Sequence, residues 1–541
     1  MDTRDADDES DDIDALAAVD ALITNALLAL GSSALVGDAE TRESARRVGT
    51  IGGSTATLAN CAVGAGVLAT PFAVSKFGTI GGGALITCTA LLAALTLIIL
   101  VNASSTLKST SYQGVVRDAF GANASRGVAV TLVVYLFGSC VAYLIIIGDS
   151  YVRVIDAMGC EHVDSSRAWW ATRQCAIAVA AVFFVAPLSL MREMRRLAPA
   201  SAMALVSLAY TATAIVFKAM EKSDIDGSAR ATAWSMTSDS ILAVPIVVFA
   251  FQCHIQVVAI YAELSSNSVK HNSVDATSAL DDLTSSAEDE RDSEHRRLRR
   301  MYVVIALAVG ACFIGYLCVG EFAYIAHPDV TSNVLDSYDK NDRVMMLATI
   351  FMACSAVASF PVNHHAARAA LDDLLADAFG WTHCAPGHAP VMRHASQTLS
   401  FVALTSLVAF IVTDLGKVFE LIGATCGSLV MFVIPAGLLL HPKLRRRRKV
   451  SSRASPLDDD LRDLDDVTRD LLSSAMGLLG DELSDQDEDE DQGVNRANAG
   501  DNDESTTIDI GSALGAVALL LIAVFVATSN VYVLFFRRAR E

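Results

Sequence analysis

Apolar and polar residues fall along this chain in long blocks, not in the short periods of a soluble helix or strand. Eleven mostly apolar runs stand out, at 52–75, 79–103, 127–148, 174–191, 197–217, 240–262, 301–320, 344–363, 396–413, 418–440 and 511–536. Each approaches the roughly 20 residues that a helix needs to cross a bilayer. Hydrocarbon offers the backbone no water, so such runs pair their amides and carbonyls internally, as helices. The short alternating segments of a membrane β-barrel are absent from the pattern. The blocks predict an all-α polytopic membrane protein with eleven transmembrane helices.

The polar blocks divide the chain. Residues 1–12, 264–295 and 450–508 are rich in Asp, Glu, Ser and Asn. They carry too little apolar surface to offset chain entropy, so they read as disordered. The expected organisation is an acidic N-terminal tail (1–50), a ten-helix core (51–440) containing the disordered loop 264–295, an acidic loop (441–510), and an eleventh helix with its C-terminal tail (511–541). Residues 13–36 have the spacing of an amphipathic helix inside the first tail, and cytosolic regulators are candidate partners of both acidic segments.

Charge sharpens this reading. The chain has 41 Lys and Arg against 61 Asp and Glu, a formal net charge of −20, and a mean hydropathy of +0.42. The excess acid lies in the two tail-like segments, leaving a nearly neutral apolar body. A nearly neutral, apolar body with two acidic segments argues against nucleic-acid binding, which needs clustered basic residues. The basic residues instead gather at span ends, as Arg192, Arg195 and Arg196, then 296–300, then 445–449. The positive-inside rule then puts the N-terminus and the 441–510 loop in the cytosol. Arg537, Arg538 and Arg540 fall on the opposite side and break the pattern. Most of the eleven cysteines lie in apolar runs and none forms a C-x-x-C pair, so neither a disulfide framework nor a structural metal is expected.

Three runs carry polar chemistry. The first reads Asn60-Cys-Ala-Val-Gly64-Ala-Gly66, then Pro71. Closely spaced glycines and a proline weaken the helical ladder, and the freed backbone groups need partners that an ion or substrate can supply. Tight helix packing through small residues explains the same glycines equally well. The sixth run carries Pro245, Phe251, Gln252, Cys253, His254 and Gln256. A buried amide or imidazole there must face protein or water, and an interhelical hydrogen bond is the commoner role for a lone histidine. Interrupted helices in runs one and six would occupy matching positions if runs 1–5 and 6–10 were inverted repeats, the arrangement that marks transporter binding sites. In the eighth run Ser355, Ser359 and Asn363 share one helical face, and their oxygens suit a hard monovalent cation. Membrane serines also bond back to their own helix. No paired acids or metal-ligand spacing occur inside the runs, which argues against an enzyme.

Several of these segments carry a resemblance. "LANCAVGAGVLATPFA" (58–73), "SYQGVVRDAFG" (111–121), "GSCVAYLIIIGD" (138–149), "APLSLMREMRRL" (186–197), "VPIVVFAFQCHIQVVAIYAEL" (244–264) and "SFPVNHHAAR" (359–368) resemble the sodium-coupled neutral amino acid transporters of the amino acid/auxin permease group. The resemblance implies eleven helices, with a five-plus-five inverted repeat and one extra helix. It implies secondary active transport of an amino acid by alternating access, coupled to sodium or protons, without other cofactors. By the same carry-over, Ala62, Val63, Gly64, Ala65 and Gly66 meet the substrate carboxylate, and Phe251, Gln252 and His254 border the substrate. Asn60, Cys354, Ser355 and Ser359 are the coupling-ion candidates; Cys354 stands where well-known members have Thr. The alternatives are a proton-coupled vacuolar or lysosomal exchanger and a membrane amino-acid sensor. The membrane of residence is either the plasma membrane or the vacuolar/lysosomal one.

Overall fold

The computed structural model describes residues 51–62, 64–159, 162–163, 166–191, 198–225, 231–237, 240–266, 282–379, 391–442, 444 and 514–526. The tail 1–50, with its candidate amphipathic stretch, and nearly all of the 441–510 loop lie outside them. Among the described residues the structure is helical apart from the two-residue strands β1 (His162–Val163) and β2 (Ser166–Arg167). The helices are α1 (Ile51–Ala62), α2 (Thr70–Leu107), α3 (Tyr112–Phe120), α4 (Ala122–Ala157), α5 (Arg173–Leu190), α6 (Ala198–Ile225), α7 (Ser240–Ala250), α8 (His254–Ser266), α9 (Asp282–Ala326), α10 (Arg343–Phe379), α11 (Val391–Ile411), α12 (Leu415–Leu440) and α13 (Leu514–Val526). Eight helical segments among the described residues are long and apolar enough to cross a membrane. This is an all-helical polytopic membrane protein.

The first two apolar runs are joined in an unexpected way. Helical geometry continues from Thr70 to Leu107, but Gly78 interrupts it at φ +80°. A Cβ on Gly82 would lie 2.8 Å from Cα of Val74, eight residues back. Those positions are ~12 Å apart in a continuous helix, so the chain reverses at Gly78. Contacts with α9 trace the same path. Ala59 and Ala62 meet Cys312 and Tyr316 in rising order, whereas Gly83, Asn102 and Ser105 meet Glu321, Tyr302 and Glu294 in falling order. Only glycine takes this backbone angle without strain. Backbone from 231–237 caps the turn, with Thr79 and Ile80 N–H donating to Thr232 and Ala233 carbonyls, and Ser235 N–H to Phe77 O.

The contacts of the remaining helices sort into two ends. At one end Glu294 meets Ser105, the Tyr112 hydroxyl donates to Val430 O, and His394 Nε2–H donates to Leu190 O. At the other end the buried guanidinium of Arg153 donates to the carbonyls of Leu335, Tyr338 and Asp339. Arg173 pairs with Asp149 there at 2.8 Å. The loop held by Arg153 includes a short turn, Val334–Ser337, whose Val334 and Leu335 are buried. Burial raises the carboxyl of Asp336 above its usual range, against the pull of Arg153. In the packing, α2 lies on α9, α4 on α10, α1 on α9, α7 on α2, α6 on α10 and α12 on α4.

One expectation is corrected. Residues 282–295 belong to the 45-residue helix α9, not to a disordered loop. The apolar span beyond Arg300 then extends a helix already begun.

Candidate functional site

The first apolar run breaks where its glycines stand. α1 stops at Ala62, and Gly64 takes an extended conformation with its N–H donating back to Ala62 O at 2.8 Å. A tight 3₁₀ turn, Ala65–Ala69, follows, and the helix resumes at Thr70 with Pro71 in its first turn, where a missing N–H costs nothing. Val63 lies outside the described residues. The second break separates α7 from α8 at Phe251–Cys253, six residues past Pro245. The two breaks touch. The 3₁₀ turn packs on α7, and a Cβ on Gly66 would lie 2.8 Å from Cα of Ala250, so this crossing requires a residue without a side chain.

Beside the first break is a cavity. It is lined by Gly64 and Ala65, by Tyr143 and Ile146 of α4, by Leu208 of α6, and by Met352, Ser355, Ala356 and Ser359 of α10. Asn363 Nδ2 lies 3.5 Å from the Tyr143 hydroxyl. The wall therefore presents hydroxyls and opened backbone, and no lining residue is a carboxylate or an imidazole. About 10 Å³ remains free, room for about one water. Small-molecule sites usually enclose about 300 Å³ or more, so helices must part to admit an amino acid.

Of the residues expected here, Gly64, Ala65, Ser355 and Ser359 meet at the cavity. Ala62 is buried just before the break, and Gly66 is spent on the crossing with Ala250. Asn60 is half-buried in the last turn of α1 and is not part of the wall. Cys354 is corrected: its thiol is on the exposed side of α10, a 100° step from Ser355, so it faces away from the cavity. The second break is sealed. The Phe251 ring packs edge-on against Tyr316, and both polar atoms of the Gln252 amide are buried without a hydrogen-bond partner. His254 Nε2 lies 2.8 Å from Thr96 Oγ1. The Thr96 proton goes to Leu92 O, so the histidine donates, leaving its Nδ1 buried and unpartnered. Neither Gln252 nor His254 lines the cavity. Sequence reasoning missed Tyr143 and Leu208. Tyr143 lay in the quoted 138–149 segment without a polar neighbour to mark it.

A multi-pass helical bundle with two interrupted helices meeting beside a small polar cavity is the frame of a membrane transporter. The family model described as "Transmembrane amino acid transporter protein" matches residues 47–280 and 290–458. This chain belongs to that family, whose members are transporters and not enzymes. Sodium-coupled neutral amino acid transporter 7 of Xenopus laevis is 28% identical over 410 residues, 74% of this chain and 83% of that protein. The Homo sapiens protein of the same name is 28% identical over 409 residues, 74% of this chain and 82% of its own length. Vacuolar amino acid transporter 2 of Saccharomyces cerevisiae is 25% identical over 393 residues, covering 71% of this chain and 75% of that protein. Among solved structures, the inward-facing conformation of Mhp1 aligns with a TM-score of 0.45 at 12% identity, over 75% of this chain and 78% of that one, too loosely to bear on helix order.

Proposed function

We propose that this protein moves neutral amino acids by alternating access, driven by a sodium gradient. The observation that carries the reading is the cavity where the opened backbone of Gly64 and Ala65 faces Tyr143, Ser355 and Ser359. Free N–H groups at the start of the 3₁₀ turn favour the substrate carboxylate. The hydroxyls of Ser355 and Ser359, with Asn60 one turn before Gly64, supply oxygens for the cation. Sodium is preferred to a proton because the wall holds no carboxylate or imidazole to take one up. Gln252, His254 and Phe251 reach the substrate once the second break opens.

The same reading has eleven crossings, ten of them as five-plus-five inverted repeats. It is supported by mirrored packing: α6 on α10 is matched by α12 on α4, the fifth crossing on the eighth and the tenth on the third. The N-terminus and the 441–510 loop are cytosolic, because Arg296–Arg300 stand at the Glu294 end. The acidic segments regulate and do not bind substrate. Relatives named for sodium coupling and for the vacuole leave the plasma membrane and the vacuolar membrane as the residences to distinguish.

Reconstitution into liposomes, with sodium and pH gradients imposed separately, tests the proposal. An inward sodium gradient is expected to drive accumulation of labelled neutral amino acids. Uptake driven by pH alone would make the protein a proton-coupled exchanger, and binding without uptake would make it a sensor.

A further inference from the structure

One side chain touches both breaks. Tyr316 of α9 is 1% exposed, and its hydroxyl lies 2.8 Å from Ala62 O and 2.9 Å from Ala250 O. These are the last carbonyls of α1 and α7, helix ends that carry partial negative charge. A phenol has one proton, so both oxygens draw on the same donor. Ala250 O lacks the donor that a continuing helix would give it, because the chain leaves helical geometry at Phe251. The ring is held in place by Phe251, edge-on at 4.9 Å. One turn earlier, Cys312 Sγ lies 3.9 Å from Ala59 O and follows the same half-helix.

We propose that Tyr316 is a positioning residue that couples the two breaks, its hydroxyl latching α1 and α7 together in the closed state. This rests on the reading that both breaks move during transport. In the closed state the hydroxyl serves two acceptors. Movement of either half-helix surrenders one of them, so neither break opens without a cost that the other half-helix shares. The latch therefore holds the cavity shut until ion and substrate supply competing contacts.

Two measurements on the full-length protein test it. In Tyr316→Phe, hydrogen–deuterium exchange of amides in 62–70 and in 250–256 is expected to rise together, by about five- to tenfold. Tyr151→Phe makes the same chemical change two turns along α4 from Tyr143, where that hydroxyl donates to Trp170 O, and should leave both segments unchanged. In liposomes, uptake of tritiated L-alanine and L-glutamine by Tyr316→Phe should show KM and maximal rate falling together. The site opens more readily, while the closed state that each cycle passes through is weakened. A merely structural tyrosine would reduce the amount of active protein at unchanged KM. Should Tyr316→Phe not fold, 3-fluorotyrosine at 316 keeps the shape and strengthens the donor, and exchange in both segments should slow. A change in one segment alone, in neither, or an unchanged KM overturns the latch. If the wild type takes up neither amino acid, the transport reading fails and the exchange measurement alone decides on Tyr316.

Discussion

At Gly64 the chain opens its backbone onto a cavity, whereas at Phe251–Cys253 it opens and then seals itself with side chains. The first break owes its shape to residues with little or nothing beyond Cβ. Its chemistry is that of amides and carbonyls, completed by hydroxyls from α10. The second has no glycine and relies on a phenyl ring, an amide and an imidazole. Backbone contacts recognise what every amino acid shares, and side-chain contacts distinguish one from another. Under the proposed function, common recognition falls to the first break and selection to the second.

Gly66→Val should be the most damaging substitution at either break. A valine placed against Ala250 forces apart a close contact between the breaks, and overpacking of this kind costs about 1–3 kcal/mol or more. Loss of monodisperse protein in size-exclusion chromatography is the expected outcome; a folded, active variant would show that the crossing is not tight. The double change Ser355→Ala with Ser359→Ala should leave folding intact and raise the half-saturating sodium concentration. At about 1 kcal/mol per oxygen lost, the shift is roughly 30-fold. Asn60→Ala, outside the cavity wall, should shift it less. Unchanged sodium dependence in the double variant would move the ion site elsewhere.

Gln252→Leu sharpens the contrast from the other side. Replacing a buried, unpartnered amide with an apolar group should raise the melting temperature and weaken discrimination among neutral amino acids several-fold. A lower melting temperature with selectivity intact would mean that Gln252 has structural partners the closed state does not reveal. Thr96→Val should matter least to transport. It leaves the His254 ring nitrogen without its partner, costing about 1–3 kcal/mol of stability, and should shift KM less than Gln252→Leu does, because Thr96 is not part of the cavity wall. An unchanged melting temperature would show that the closed state does not depend on this hydrogen bond.

Much of this was readable in the sequence, for local reasons. Apolar runs mark helices because hydrocarbon leaves the backbone no alternative, and glycines with a proline mark the first break because their effect is confined to their own turn. What depends on rotation or on distant packing was not readable. Cys354 and Ser355 differ by one position, yet only the second faces Gly64. Tyr143 and Leu208 reach the cavity from helices with no local sign of a site. Gln252 and His254 stand two residues apart, and the unwound segment between α7 and α8 sends one into a partnerless pocket and the other to Thr96. Residues 282–295 look too polar to fold, and they are helical because the apolar span that follows continues them.

The reversal at Gly78 bears on how the protein is made. With a single residue between its first two crossings, there is no polar loop to emerge while the first crossing waits in the membrane. That first crossing is also the poorer insertion signal, since Asn60, the glycines and Pro71 dilute its hydrophobicity, while the segment after Gly78 is unbroken and strongly apolar. Entering as a hairpin, the second segment offsets the first one's cost of leaving water. The residues that open the backbone in the finished protein thus lean on the neighbouring segment to bring them into the bilayer.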